Sequence, residues 1–222
     1  MTAEVIAVTG ATGAIGQQLV ERLRSKGFRV VGLCRKPPDK AVADVVWRSF
    51  SLSDDAETTA EKLRGVDQVV HLAAIIPGKV PSDEGDASLW NVNVLGTQRL
   101  IEAMALAGVK RMVLTGTANV YEPDQPEASE TSAFGPRSRV LYLASGRGII
   151  DRLALDLASG QQVYIEDGAA FGADFIDCDD VCQGIMLAVE AKLNGVYNLS
   201  SGQRTELLDI VLELASGLGR TA

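Results

Sequence analysis

The chain has 222 residues, is 46% hydrophobic and carries a formal net charge of −8. At about one domain per 100–200 residues this length allows one domain plus a small lobe, and the acidic balance argues against nucleic acid and anionic membranes, which repel it. No signal peptide is evident and no apolar run approaches the roughly 20 residues of a membrane span. Three cysteines without paired spacing (Cys34, Cys178, Cys182) fit a reducing compartment, so a cytoplasmic protein is expected, and with His71 the only histidine no metal site is.

The first predicted elements carry the strongest signal. Val5 to Thr9 is a short apolar run rich in β-branched residues, as a strand buried on both faces requires, and glycines at 10, 13 and 16 follow where a helix from Ala14 to Lys26 begins. Gly10 permits the sharp exit, Gly13 allows the backbone to approach a pyrophosphate, and Gly16 lets helix and strand pack closely. The free N–H groups at the helix start face the anion, and the helix dipole adds to the attraction. This strand–turn–helix predicts dinucleotide binding on Gly10, Thr12, Gly13, Ala14, Ile15 and Gly16. The spacing Gly-x-x-Gly-x-x-Gly after Thr9 resembles the short-chain dehydrogenase/reductase superfamily.

Phe28 to Cys34 reads as a second parallel strand ended by Arg35-Lys36-Pro37-Pro38. Its tip meets the adenosine ribose, where a basic side chain pairs with a 2′-phosphate; Arg35 therefore points to NADP, with Lys36 a helper and NAD still possible. A third strand runs from Val45 toward Leu52, and a helix from Asp54 to Leu63 has Asp54 near its cap. Ser51-Leu52 sits where the superfamily has Asp-Leu or Asp-Val against adenine; Ser51 keeps hydrogen bonding and loses the carboxylate. Val66 to Ala74 is a strand running into the small residues on which a cofactor rests, with Leu72, Ala73 and Ala74 at its exit. A lone histidine within such a strand, His71, reads as a buried, hydrogen-bonded core residue.

Three motifs then make the resemblance specific: the glycine turn, His71-Leu-Ala-Ala74, and Asn91-Val-Asn-Val-Leu-Gly-Thr97 in a long helix. With Val109 to Tyr121 they resemble the extended short-chain dehydrogenase/reductases, the NAD(P)-dependent epimerase/dehydratase family. The resemblance covers essentially the whole chain and implies a Rossmann-type, doubly wound parallel α/β fold with a small, incomplete C-terminal substrate lobe. It divides the chain into residues 1–145, a dinucleotide-binding domain, and 146–222, the lobe mixed with remaining Rossmann elements. It implies Thr117 as the hydroxyl that orients the substrate oxygen and Tyr142 as the acid/base. It places Asn93 near the cofactor as a backbone-steadying residue, Ile76, Ala118 and Asn119 beside a small-molecule substrate, and a homodimer through helices near 86–107 and 142–158. Tyr121 and the tryptophans Trp47 and Trp90 read as packing residues.

The chemistry explains these roles. Hydride transfer between nicotinamide and a carbinol carbon needs a proton moved at the oxygen, and a tyrosine does this well when its pKa is lowered. A lysine four residues after the tyrosine, on the same helix face, supplies the lowering in the family. Here position 146 is glycine, followed by Arg147 and Gly148. Two helix glycines cost about 1 kcal/mol each relative to alanine. From Gly146 the sequence resembles a later part of the family, so the rest of the catalytic helix and the sixth strand are missing between Ser145 and Gly146. Either the sequence joins segments of a longer protein across an unseen loop, or the protein carries a deletion. The gap a missing central strand leaves in sheet pairing favours the first; Arg147 is a poor substitute for the lysine.

Toward the C-terminus, Asp174 to Val181 leads into a helix to Glu190, Gly195 to Leu199 reads as a strand, and Thr205 to Ser216 as a helix. Asp177, Asp179 and Asp180 read as helix capping and a solvated face. Nucleotide-sugar members of the family often hold the diphosphate with an arginine before the Asp-Phe pair. Ala173 stands there, which weakens a nucleotide-sugar assignment. Glu122 to Pro136 reads as a mobile loop at the active-site mouth. The expected function is an NAD(P)-dependent oxidoreductase or epimerase/dehydratase acting at a hydroxyl or carbonyl carbon of a sugar or related small molecule. The alternative is a catalytically silent NAD(P)-binding sensor or scaffold.

Overall fold

Val5–Thr9 forms β1, and all five residues are buried. The computed structural model describes residues 3–38, 42–75, 88–116, 121, 128–133, 158–159 and 172–219. β1 is flanked on both sides by parallel neighbours, β2 (Arg29–Cys34) and β4 (Gln68–His71). Outside them pair β3 (Val45–Ser49) and β5 (Arg111–Leu114), giving a five-stranded parallel sheet ordered β3-β2-β1-β4-β5. Parallel neighbours require crossovers, and helices cover both faces.

Alternation along β1 divides the core. Val5 and Ala7 point to one side, where they join Val31, Leu33, Phe50, Leu63, Val69 and Leu100. The helices on that side are α2 (Ala56–Lys62) and α3 (Gly96–Ala107). Ile6 and Val8 point to the other, toward Leu19, Val20 and Leu23 of α1 (Ala14–Ser25) and Ile185, Met186 and Val189 of α4 (Cys178–Glu190). Burial on two faces explains why β1 shows no polar alternation.

Two contact-defined units divide the chain, one of Met1–Ala144 with Cys178–Asn198, the other of Ser145–Asp177 with Leu199–Ala222. α4, far along the sequence, thus belongs to the unit of the parallel sheet. In the second unit β6 (Gly172–Asp174) pairs antiparallel with β7 (Arg204–Glu206), and α5 (Leu207–Gly217) follows. The Asp174 carboxylate accepts from the Ser201 and Gly202 N–H groups and the Ser201 hydroxyl, pinning the turn before β7.

Several boundaries differ from the sequence reading. The helix expected from Asp54 starts at Ala56, because Asp55, not Asp54, caps it by accepting from Thr58 N (2.6 Å). Asp54 instead accepts from Ser51 N (2.9 Å) and pairs with Lys62 (2.6 Å). The helix expected from Thr205 starts at Leu207, since Thr205 and Glu206 are drawn into the β6–β7 ladder. Residues 195–199 form no strand among the described residues. Gly195 sits at φ 124, and Val196, Tyr197 and Leu199 are exposed, so no apolar face is buried to fix a register. The 195–199 segment is held by side chains: Asn198 N donates to Glu130 (2.8 Å), and the buried Tyr121 hydroxyl donates to Asn198 Oδ1 (2.8 Å). Trp90 is 52% exposed rather than packed, because it opens a helical turn on its solvent side. Asp179 and Asp180 lie in the first turn of α4, where negative charge suits the helix dipole, and Asp179 pairs with Arg22 (2.7 Å).

Trp47 does pack: its ring lies over Gly32 on the neighbouring strand, so close that a Cβ there would stand 2.5 Å from ring carbon. Gly32→Ala is expected to lower stability by about 1–3 kcal/mol by overpacking. The check is a lower urea midpoint at unchanged m-value; an unchanged midpoint would show that the ring moves freely.

Candidate functional site

All five parallel strands end at one edge, and the glycine turn lies at its centre. Gly10 has φ +68, a conformation open to glycine, and its Cα faces the β4 exit so closely that a Cβ would lie 3.0 Å from Ala73 N. A Cβ on Gly16 would stand 2.2 Å from Gly10 O, so α1 meets the turn backbone to backbone. Gly13 N donates to Gly10 O (2.9 Å), and Gln17 donates to Thr12 O (2.8 Å), which closes the turn. Gly13 is the N-cap of α1 without a capping side chain, and no acidic residue lies in the first turn. The exposed N–H groups there retain their affinity for an anion. Missing side chains and uncapped N–H groups are the features a dinucleotide pyrophosphate needs, and the residues present fit that cofactor.

The tips of β2 and β3 lie at the same edge as the glycine turn. Arg35 and Lys36 are exposed at the end of β2, and Arg35 makes no ion pair among the described residues. Ser51 Oγ accepts from Ser53 N (3.2 Å), which leaves its hydroxyl proton free to donate. Leu52 is buried and pressed from α3: a Cβ on Gly96 would lie 2.7 Å from its Cβ, and Arg99 donates to its carbonyl (3.0 Å). Gly96 and Arg99 are contributors that sequence reasoning missed; the signal available was the Gly-Thr pair after Asn93.

On the other side of β1 the exit of β4 is held by polar side chains. His71 is 2% exposed; its Nδ1 lies 2.7 Å from Thr9 Oγ1 and its Nε2 2.9 Å from Thr97 Oγ1. This is the buried, hydrogen-bonded histidine that the strand pattern predicts. Asn93 clamps Ile75, accepting from its N–H and donating to its carbonyl, each at 2.9 Å. Its amide therefore steadies the backbone just beyond β4. Asn93 belongs to a π-helical segment, Trp90–Leu95, that runs into α3. Such segments are rare and frequent at functional sites, and sequence gave no warning of this one. Leu72, Ala73 and Ala74 extend from this clamp along the same edge.

Thr117, Ala118, Asn119 and Tyr142 lie outside the described residues, as do Ile76, Gly146 and Arg147, and the loop 122–136 is described only at 128–133. Among the described residues no group of three His, Cys, Asp or Glu side chains could hold a metal, and no helix is long and apolar enough to cross a membrane.

A doubly wound parallel sheet with a glycine turn and an uncapped helix at its carboxyl edge defines a Rossmann-type dinucleotide-binding protein. Residues 6–146 match the model of the NAD dependent epimerase/dehydratase family, and the chain belongs to that family. It is similar to sterol demethylase protein B of Methylococcus capsulatus, 26% identical over 242 residues, covering 92% of this chain and 71% of that protein. It is also similar to the dTDP-6-deoxy-L-talose 4-dehydrogenase (NAD(P)(+)) of Kitasatospora kifunensis, 28% identical over 253 residues, covering 94% of this chain and 78% of that one. Among solved structures it resembles MoeE5 in complex with UDP-glucose and NAD, with a TM-score of 0.81 and 26% identity, covering 98% of this chain and 82% of that chain. The chain is thus an NAD(P)-dependent enzyme of the extended short-chain dehydrogenase/reductase type.

The family model ends at residue 146, where the sequence runs from Ser145 to Gly146.

Burial drives the His71 pKa down from 6.5 to about 4. The unfolded chain therefore takes up this proton first as pH falls, so the stability due to neutral His71 is full above pH 6.5 and lost between 6.5 and about 4. The loss approaches about 3 kcal/mol. Urea midpoints across pH 7 to 4 should fall more steeply for the native protein than for His71→Gln; parallel curves would mean the ring titrates normally.

Proposed function

We propose that the chain is an NADP-preferring carbonyl reductase of this family, acting on a small molecule without a nucleotide diphosphate. The observation that supports it is the glycine cradle: Gly10, Gly13 and Gly16 leave backbone where side chains would block a pyrophosphate. Gly10, Thr12, Gly13, Ala14, Ile15 and Gly16 would hold the pyrophosphate, Arg35 and Lys36 a 2′-phosphate, Ser51 and Leu52 the adenine, and Leu72 to Ala74 with Asn93 the nicotinamide half. The bound cofactor supplies the hydride. Tyr142 is the proton donor and Thr117 the hydroxyl that orients the substrate oxygen, with Ile76, Ala118 and Asn119 lining the substrate.

Gly146 stands where the family has its lysine, so Tyr142 acts without that cation. A neutral phenol is competent to protonate the oxygen of a carbonyl receiving hydride. The substrate class draws support from Ala173 before Asp174-Phe175, and from Arg204, which donates to Glu206 (2.9 Å) and so is neutralised. A second reading, an NAD(P)-binding sensor without turnover, is favoured by the same glycine at 146. The cysteine usage supports a cytoplasmic setting, and the family resemblance a homodimer through the helices near 86–107 and 142–158.

NADPH titration and a panel of sugar, ketone and ketosteroid substrates test the proposal. Reduction of a carbonyl substrate by NADPH is expected at neutral pH. Tyr142→Phe should abolish turnover and leave NADPH binding intact. Arg35→Ala should lower affinity for NADPH, and not NADH, by about tenfold or more, the value of a hydrogen bond to a charged group. NADPH binding without turnover on any substrate would establish the sensor reading.

A further inference from the structure

The hydrogen bonds around His71 admit one arrangement of protons. Thr9 Oγ1 accepts from Leu72 N and Ala73 N, both at 3.1 Å, which uses both of its lone pairs. Its own proton must therefore go to His71 Nδ1 at 2.7 Å. With Nδ1 an acceptor, the ring proton is on Nε2 and is donated to Thr97 Oγ1 at 2.9 Å. Thr97 in turn donates to Asn93 O at 2.7 Å, the residue whose amide clamps Ile75. From the far side Thr115 donates through its N–H (3.3 Å) and hydroxyl (3.1 Å) to His71 O.

Each bond in this chain ends on backbone at the β4 exit or on the element beside it. Thr9 precedes Gly10, and Gly10 lies against the Leu72–Ala73 peptide. We propose that His71 is a positioning residue: its neutral Nε2–H ring joins Thr9 to Thr97 and so locks the β4 exit, residues 72–75, against the glycine turn in the geometry that receives the dinucleotide. The proposal rests on the reading of this edge as the cofactor seat. The imidazole need not touch the cofactor; it acts through Thr9 and Asn93. An apolar residue of similar size would fill the space and leave the Thr9 proton without an acceptor and Thr97 without a donor, freeing the exit to shift.

The single histidine makes the test direct, since the intact protein gives one imidazole signal set. Nitrogen-15 NMR at neutral pH should show a neutral ring protonated at Nε2; the Nδ1–H tautomer, or a rapidly averaging ring, overturns the proposal. NADPH affinity is then measured by fluorescence for Thr9→Val, Thr9→Ser, His71→Leu and a control, Ile185→Ala, which weakens the core on α4. Thr9→Val and His71→Leu should bind about tenfold or more weakly, while Thr9→Ser, which keeps the hydroxyl, and Ile185→Ala stay within about twofold of the native protein. Equal losses in the control at matched stability, or no loss in the two network variants, overturn the proposal while leaving the cofactor reading intact. Failure of the native protein to bind either dinucleotide overturns the cofactor reading itself, and with it the positioning role.

Discussion

The structure depends on backbone meeting backbone at the carboxyl edge of the sheet. Gly10 lies against the Leu72–Ala73 peptide, Gly16 against Gly10 O and Ala11, and Gly96 against Leu52. At none of the three does a side chain fit without displacing main chain. A cofactor diphosphate is large and highly charged, and it can approach the N–H groups of α1 only if the surrounding polymer contributes no side chains. The same absence that opens the turn lets α1 and α3 press on the sheet. Close packing and ligand access are therefore one constraint at this edge.

What holds that edge still is polar. An apolar strand buried on two faces fixes its position across the sheet, yet its backbone must find new partners where pairing stops. At β4 these partners are Thr9, Asn93 and Thr115, with His71 between the two threonines. A partly satisfied network in such a place is worse than none; this one has a donor for each acceptor named. Burial of the ring and the demand for an accepting Nδ1 act in the same direction, and both exclude the imidazolium.

Local signals were readable and distant ones were not. The strands β1, β2 and β4 and the glycine turn each announce themselves within a dozen residues, by β-branched runs and by glycine. His71 was legible as a buried ring because it sits in an apolar strand. Its partners were not, since Thr9 and Thr97 stand 62 and 26 residues away. Residues 195–199 have strand composition, but composition cannot show that no face is covered, and Gly195 leaves the extended region. The one-residue error at Asp54 has the same origin: either aspartate can cap, and the choice is made by Lys62 and Ser51 claiming Asp54.

The glycine at 146 bears on chemistry more than on the cradle. Every residue that shapes the described cradle, from Gly10 to Arg99, precedes it, and α4, which completes the second face of the core, follows it intact. Where the resemblance implies a lysine, whose charge favours phenolate over phenol, this sequence has Gly146. Hydride transfer and proton transfer at the substrate oxygen are one step read in two directions, so weaker assistance to the tyrosine slows both alike. The glycine at 146 therefore bears on the rate of turnover and not on the hold of the cradle on a dinucleotide, so binding and turnover are separable properties at this edge.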